Sequence, residues 1–130
     1  MPKILRFEDL ECWQQDRELV KMVYASISDS SEPQKDFSLS RQISGSALSV
    51  MNNIADCWAS QSNAEFVRFL TYSRRFCAET QTCAYAALDQ SYIFQDIFRK
   101  IYEQAHKGMQ IIDGFLSYLR LQRTQRSKCS

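Results

Sequence analysis

The sequence predicts an all-α protein, an antiparallel up-down-up-down four-helix bundle, on three observations. Only 3 Gly and 2 Pro occur in 130 residues of which 45% are hydrophobic, too little turn punctuation for a many-stranded sandwich or barrel. Apolar side chains recur at three- and four-residue steps along four long stretches, the spacing that gathers them on one face of a 3.6-residue helix. The breaks between those stretches are short, about four to eight residues, which makes successive helices antiparallel neighbours. The expected organisation is one domain over residues 1–130, with helices at about 8–28, 34–59, 63–89 and 94–122 and a basic tail at 120–130. A chain of this size buries about two-thirds of its unfolded surface, enough for one core.

In the first helix, Leu10, Trp13, Val20, Val23, Tyr24 and Ile27 form the apolar stripe, and Glu8, Asp9 and Glu11 supply negative charge where it opposes the positive end of the helix dipole. Ser28 to Pro33 is a polar run ending in proline, which suits a turn or the first position of a new helix. The second helix carries Ile43, Ala47, Val50, Ile54 and Trp58 on one stripe, with Gly45 inside it. That glycine costs up to ~1 kcal/mol relative to alanine unless a neighbouring backbone packs close.

Ser62, followed three residues later by Glu65, reads as a capping box that starts the third helix. Its stripe runs Phe66, Phe69, Leu70, Ser73, Cys77, Thr80, Ala84, Ala87 and Leu88, with small residues at mid-length where a partner helix can approach. In the fourth helix Phe94, Phe98, Ile101, Ala105, Gly108, Ile112, Phe115 and Leu119 alternate steps of four and three, a heptad seam. Such a repeat favours left-handed packing near 20°. Tyr72, Phe76, Tyr85, Ile97, Tyr102, Met109, Ile111 and Tyr118 fall partly off these stripes and widen the apolar face of helices three and four. Monomers rarely expose large contiguous apolar patches, so an oligomer surface is expected, with a broad core-facing stripe as the alternative.

Charge and chemistry narrow the function classes. Net charge is +1, from 16 basic and 15 acidic residues, so any charge-driven role must be local. Residues 1–7 lack the apolar core of a signal peptide and no stretch has the apolar length of a membrane span, so a soluble, cytoplasmic protein is expected. The five cysteines, Cys12, Cys57, Cys77, Cys83 and Cys129, are odd in number and contain no CxxC pair, which argues for packed free thiols over a disulfide framework or zinc site. Glu103 and His106 form a Glu-x-x-His step, but a di-iron bundle needs two such motifs and His106 is the only histidine. Without a second histidine, a triad or a glycine-rich phosphate loop, no catalytic residues, cofactor or metal are assigned and a non-enzymatic protein is expected. Asp56 and Glu79 are read as carboxylates pointing inward, partnered by Arg41, Arg74 or Arg75 in a structural network. Arg120, Arg123, Arg126 and Lys128 follow Gly114 with no acidic residue among them. They complement a helix C-terminus, and together with Arg74 and Arg75 they are the candidate nucleic-acid contacts.

The segments Phe7 to Gln14, Gln42-Ile43, Ser49 to Asp56, and Phe66 to Leu70 followed by Glu79 resemble a bacterial four-helix-bundle family first noticed in intervening sequences of large-subunit ribosomal RNA genes. Its relatives include the accessory variability determinant of diversity-generating retroelements. On that resemblance Trp13, Gln42, Asn53, Asp56, Phe69, Leu70 and Glu79 are family-motif structural residues. The resemblance further implies a non-enzymatic bundle, commonly a ring of five copies, whose basic members bind nucleic acid and, in the retroelement branch, a reverse transcriptase. The alternative is a ribosome- or RNA-associated intervening-sequence protein, or a structural scaffold for a protein partner. Where the family has paired arginines this chain has Ser44 and Gly45, its glutamate-glycine is Asp56-Cys57, and its glycine-serine pair in the third helix is Arg75-Phe76.

Overall fold

The structure, a computed structural model, describes residues 4–28 and 36–129, with side chains described up to residue 121. Four α-helices follow a 3-10 turn at Phe7–Asp9: α1 (Glu11–Ser28), α2 (Phe37–Ala59), α3 (Asn63–Asp89) and α4 (Gln95–Cys129). No strand occurs among the described residues. Each helix packs on the next and α4 returns against α1, giving a closed ring of four contacts. The neighbours run antiparallel. Ser46 meets Thr80 and Ser73 meets Val50 across α2 and α3, while Gln81 meets Tyr102 and Arg74 meets Asp113 across α3 and α4.

The helix ends follow from local chemistry. Leu10 is extended, with ψ 128°, and its carbonyl accepts the first bond of α1 from Gln14 N–H at 3.1 Å. Glu8 and Asp9 therefore sit in the 3-10 turn ahead of α1, and only Glu11 is in its first turn. α2 is capped by Asp36, which accepts from Leu39 N–H at 3.0 Å and, through its other oxygen, from the Tyr92 hydroxyl at 3.0 Å. One carboxylate thus starts a helix and ties it to the loop before α4. Ser62 caps α3, accepting from Glu65 N–H at 3.2 Å, while the Glu65 carboxylate lies near Arg68. α3 ends in a Schellman motif: Ser91 N–H donates to Leu88 and Tyr92 N–H to Ala87, with Ser91 at φ 61° in the position that glycine usually takes. The polar run at residues 29–33 lies outside the described residues.

Two apolar clusters fill the bundle. One gathers Leu19, Val23, Ile43, Ala47, Val50, Cys77, Ala84, Phe98 and Ile101; the other gathers Leu10, Cys12, Ile54, Cys57, Leu70, Ile112 and Leu116. The stripe of α1 differs from the expected one. Its buried residues are Cys12, Asp16, Leu19 and Val23, whereas Trp13 and Val20 are half-buried and Tyr24 is exposed. The true seam lies about one residue, or roughly 100°, away. α2 and α4 show a smaller departure: the core passes from Ile54 to Cys57 rather than Trp58, and from Ile112 to Leu116 rather than Phe115. In α2 the step of three to Cys57 continues the alternation of four and three that Ile43, Ala47, Val50 and Ile54 begin, whereas in α4 the step of four to Leu116 follows the ~20° per heptad by which a 3.6-residue helix drifts against a 3.5-residue repeat. Phe94, expected as the first seam position, precedes the helix and is 79% exposed, while Ile93 is buried in its place.

Asp56 and Glu79 do not point inward; both are exposed. The carboxylate inside the bundle is Asp16, 1% exposed. The other buried polar side chains are Ser46, Ser73 and Thr80. Gly45, for which a close backbone approach was the alternative to a helix penalty, has nothing within 4 Å of its missing Cβ. Gly108 is the glycine with a packing reason: a Cβ there would lie 3.1 Å from Asp16 Oδ1 and 3.6 Å from Cys77 Sγ.

Candidate interaction surface

The expected wide apolar face of the third and fourth helices separates into two flanks of α3. Tyr72 and Tyr85 are thirteen residues apart, which at 100° per residue sets them about 220° apart around the helix. On the α4 side, Tyr85 packs at a tilt of 54° against Phe98 with ring centroids 4.6 Å apart and meets Tyr102 edge-on at 5.8 Å. Phe94, just before α4, is a separate aromatic, 79% exposed. Tyr85 is 50% exposed, so the aromatic cluster has a buried base and a solvent-facing rim.

On the α2 side the surface is mixed. Arg68 lies over the Phe69 ring at 5.1 Å and Arg75 over the Tyr72 ring at 5.9 Å. Aromatic faces attract such cations and hold them in the exposed position. Arg74 belongs to the other flank: its guanidinium forks onto Asp113, with Nε to Oδ1 at 2.6 Å and Nη2 to Oδ2 at 3.2 Å. Asp113 thereby raises the Arg74 pKa above its ordinary value, chiefly through that hydrogen bond. Of the paired candidates, Arg75 is therefore presented outward and Arg74 is neutralised. Arg120 is exposed on α4, and the side chains of Arg123, Arg126 and Lys128 lie outside the described residues.

The family-motif positions fall into separate places. Gln42 and Glu79 line one shallow hollow of about 290 Å³ between α2 and α3, together with Ser46 and Cys83. Trp13 packs edge-on against Phe7 at 5.3 Å and carries Arg17 at 5.8 Å. Asn53 donates to the Ser49 carbonyl at 2.7 Å, one turn back. Leu70 is core and Phe69 is half-buried. Trp13, Asn53, Phe69 and Leu70 are thus accounted for by packing and helix bonding.

A larger cleft of about 410 Å³ opens between the end of α1 and the start of α4, lined chiefly by Met22, Tyr92, Phe94, Ile97 and Ile101 with Lys100 at its edge. It holds no convergence of nucleophile, base and oxyanion donors. Glu103 and His106 are exposed on α4, and no group of three or more His, Cys, Asp or Glu side chains suited to a metal occurs among the described residues. Cys12, Cys57 and Cys77 are buried free thiols and Cys83 is half-buried. Burial raises the pKa of all four, that of Cys12 to about 12, which keeps them protonated and unreactive. Among the described residues no helix is long and apolar enough to cross a membrane.

These features define an all-α four-helix protein that presents exposed aromatic and arginine-bearing flanks. A family model described as 23S rRNA-intervening sequence protein matches residues 8–114, and the chain belongs to that family. Among solved structures it is similar to a protein of unknown function from the S23 ribosomal protein family of Bacteroides thetaiotaomicron. The TM-score is 0.73 at 20% identity, with 81% of this chain and 97% of that chain covered. No curated protein matches this chain. The sequence resemblance pointed to this family, and the solved structure supports the same fold.

Proposed function

We propose that this protein is a non-enzymatic, self-associating interaction module of the intervening-sequence kind, assembling as a homo-oligomer of about five copies. The observation that carries this reading is exposed aromatic area: Tyr85, half-exposed over Phe98 and Tyr102, and Phe94, 79% exposed just before α4. Aromatic residues dominate the buried centres of protein interfaces because they hide large area at low entropy cost. Sedimentation of the purified chain at micromolar concentration tests it. The oligomer is expected, and Tyr85→Ser with Phe94→Ser is expected to dissociate it while leaving the helical circular dichroism unchanged. A wild-type monomer would overturn the reading.

A second reading, contact with RNA, is favoured by the α2-side flank. Arg68, Phe69, Tyr72 and Arg75 alternate cations with aromatic faces, the combination that suits phosphate and base together. The basic tail residues Arg120, Arg123, Arg126 and Lys128 are further candidates for phosphate contact. The family description names ribosomal RNA intervening sequences, so ribosomal RNA is the natural probe; a reverse transcriptase is the partner in the retroelement version of the reading. Fluorescence anisotropy with labelled ribosomal RNA fragments should give binding that weakens steeply as salt rises and falls on Arg75→Ala. No binding at low salt would remove the RNA reading without touching the oligomer.

A further inference from the structure

We propose that Asp16 is a proton-operated latch of the α1–α4 seam, closing the bundle when protonated and loosening it when ionised. The inference rests on geometry at the waist between the two apolar clusters. Asp16 is 1% exposed, and its Oδ2 is buried with no hydrogen-bond partner among the described residues. Its Oδ1 occupies the space where a side chain at position 108 would begin, 3.1 Å from the ideal Cβ of Gly108. The seam is therefore shaped around the carboxyl group, by the one glycine that leaves room for it.

Among the described residues nothing that faces Asp16 supplies a positive charge. From α1 the neighbour one turn back is Cys12; from α3 it is Cys77, whose thiol shares the Gly108 contact; α2 contributes Cys57, which acts on Cys12; and α4 offers Gly108 between buried Ala105 and Ile112. Arg74 influences Cys77 but forks onto Asp113, and Glu11 adds negative charge near Cys12. Among the described residues no Lys or Arg forms an ion pair with Asp16. A carboxylate in such a place has lost water and gained no counter-ion, so the neutral acid is the form that fits. Burial alone raises its pKa from the ordinary 3.8 to about 8.

The direction of the pH effect follows. The unfolded chain releases the Asp16 proton near the ordinary value, whereas the folded chain keeps it until about pH 8. Between those limits the folded state holds one more proton, so the stabilisation is complete at the acid end and is lost as pH rises through the window. One extra bound proton changes the folding equilibrium constant by up to about tenfold per pH unit. Gln104, which donates to the Gln15 carbonyl at 2.8 Å and to its side-chain oxygen at 2.9 Å on the same seam, reports the loosening directly.

Urea unfolding of the full chain at pH 5, 6, 7 and 8, compared with Asp16→Asn, tests the latch. The wild type is expected to lose stability steadily with pH, and the amide variant, which cannot ionise, is expected to show a slope smaller by about one proton and to be the more stable protein at pH 8. Parallel slopes for the two proteins, or a wild-type stability that rises over this range, would overturn the proposal. Should Asp16→Asn fail to fold, hydrogen exchange of the wild type decides: amides of α1 and α4 around residues 15–16 and 104–108 should lose protection between pH 6 and 8, after correction for intrinsic exchange, more than those of the α2–α3 seam. Equal loss on both seams would count against the latch.

Discussion

The two long seams of the bundle bury polar groups in opposite ways. Between α2 and α3, the Ser46 and Thr80 hydroxyls lie 2.8 Å apart, each also within reach of a carbonyl on its own helix, and Ser73 donates to the Val50 carbonyl at 2.7 Å. Every buried polar side chain there has a partner, and none carries charge. Between α1 and α4, Asp16 is as deeply buried and its Oδ2 has none. The first seam has small hydroxyls that let helices approach closely and hydrogen-bond across the gap. The second achieves close approach through Gly108, and fills the space with a group whose charge state changes with pH. An unmade bond of a buried polar group costs about 1–3 kcal/mol, comparable with a large part of a small domain's net stability.

The comparison can be broken from either side. On the hydroxyl seam, Thr80→Val keeps the volume and removes the cross-helix bond, and is expected to cost about 1 kcal/mol by denaturant unfolding at every pH. Adding Ser46→Ala to it should cost less than the two single changes summed, because the second hydroxyl has already lost its partner. The two helical glycines give a similar-sized contrast. Gly45→Ala meets open space and should raise stability by up to ~1 kcal/mol. Gly108→Ala should bring no such gain in thermal unfolding, because its Cβ enters the Asp16 contact at 3.1 Å; in an Asp16→Ala background the gain should appear. The smallest effect belongs to the surface. The Arg74 and Asp113 side chains are 44% and 48% exposed, so Asp113→Ala should cost about 0.2–1 kcal/mol and the loss should shrink in high salt.

Much of the fold was legible in the sequence because helix periodicity and caps are local signals. Ser62 starts α3 as its spacing from Glu65 implied, and Leu70, Ser73, Cys77, Thr80, Ala84 and Ala87 form the buried stripe of α3. The seam of α1 was less legible: the aromatic Trp13 and Tyr24 outweigh the small Cys12 and the isolated Leu19, and between those two lies Asp16, a charged residue that is normally assigned to the solvent face. Cys12, Leu19 and Val23, spaced seven and four apart, leave a gap that residue 15 or 16 can fill, and it is Asp16 that takes the space left by Gly108 in the facing helix. The depth of Asp56 and Glu79 along the bundle does not fix their direction around the helix, and both face solvent. The candidate surface was legible in composition but not in division. Tyr72 and Tyr85 both looked like surplus apolar area, and only their angular separation on α3 sorts them into an arginine-bearing flank and an aromatic one. The pairing of Arg74 with Asp113 joins residues 39 apart in sequence, beyond any local pattern.

The contrast between the two seams reduces to the ionisation of one carboxyl group. Carbon-detected NMR titration of the side-chain carboxyl of Asp16, assigned by comparison with Asp16→Asn, measures it directly in the folded chain. A carboxyl carbon that stays in its protonated position through neutral pH and shifts with a midpoint of about 8 is the result expected. A midpoint close to the ordinary 3.8 would contradict the account, because Asp16 would then be a charged group that the folded bundle tolerates.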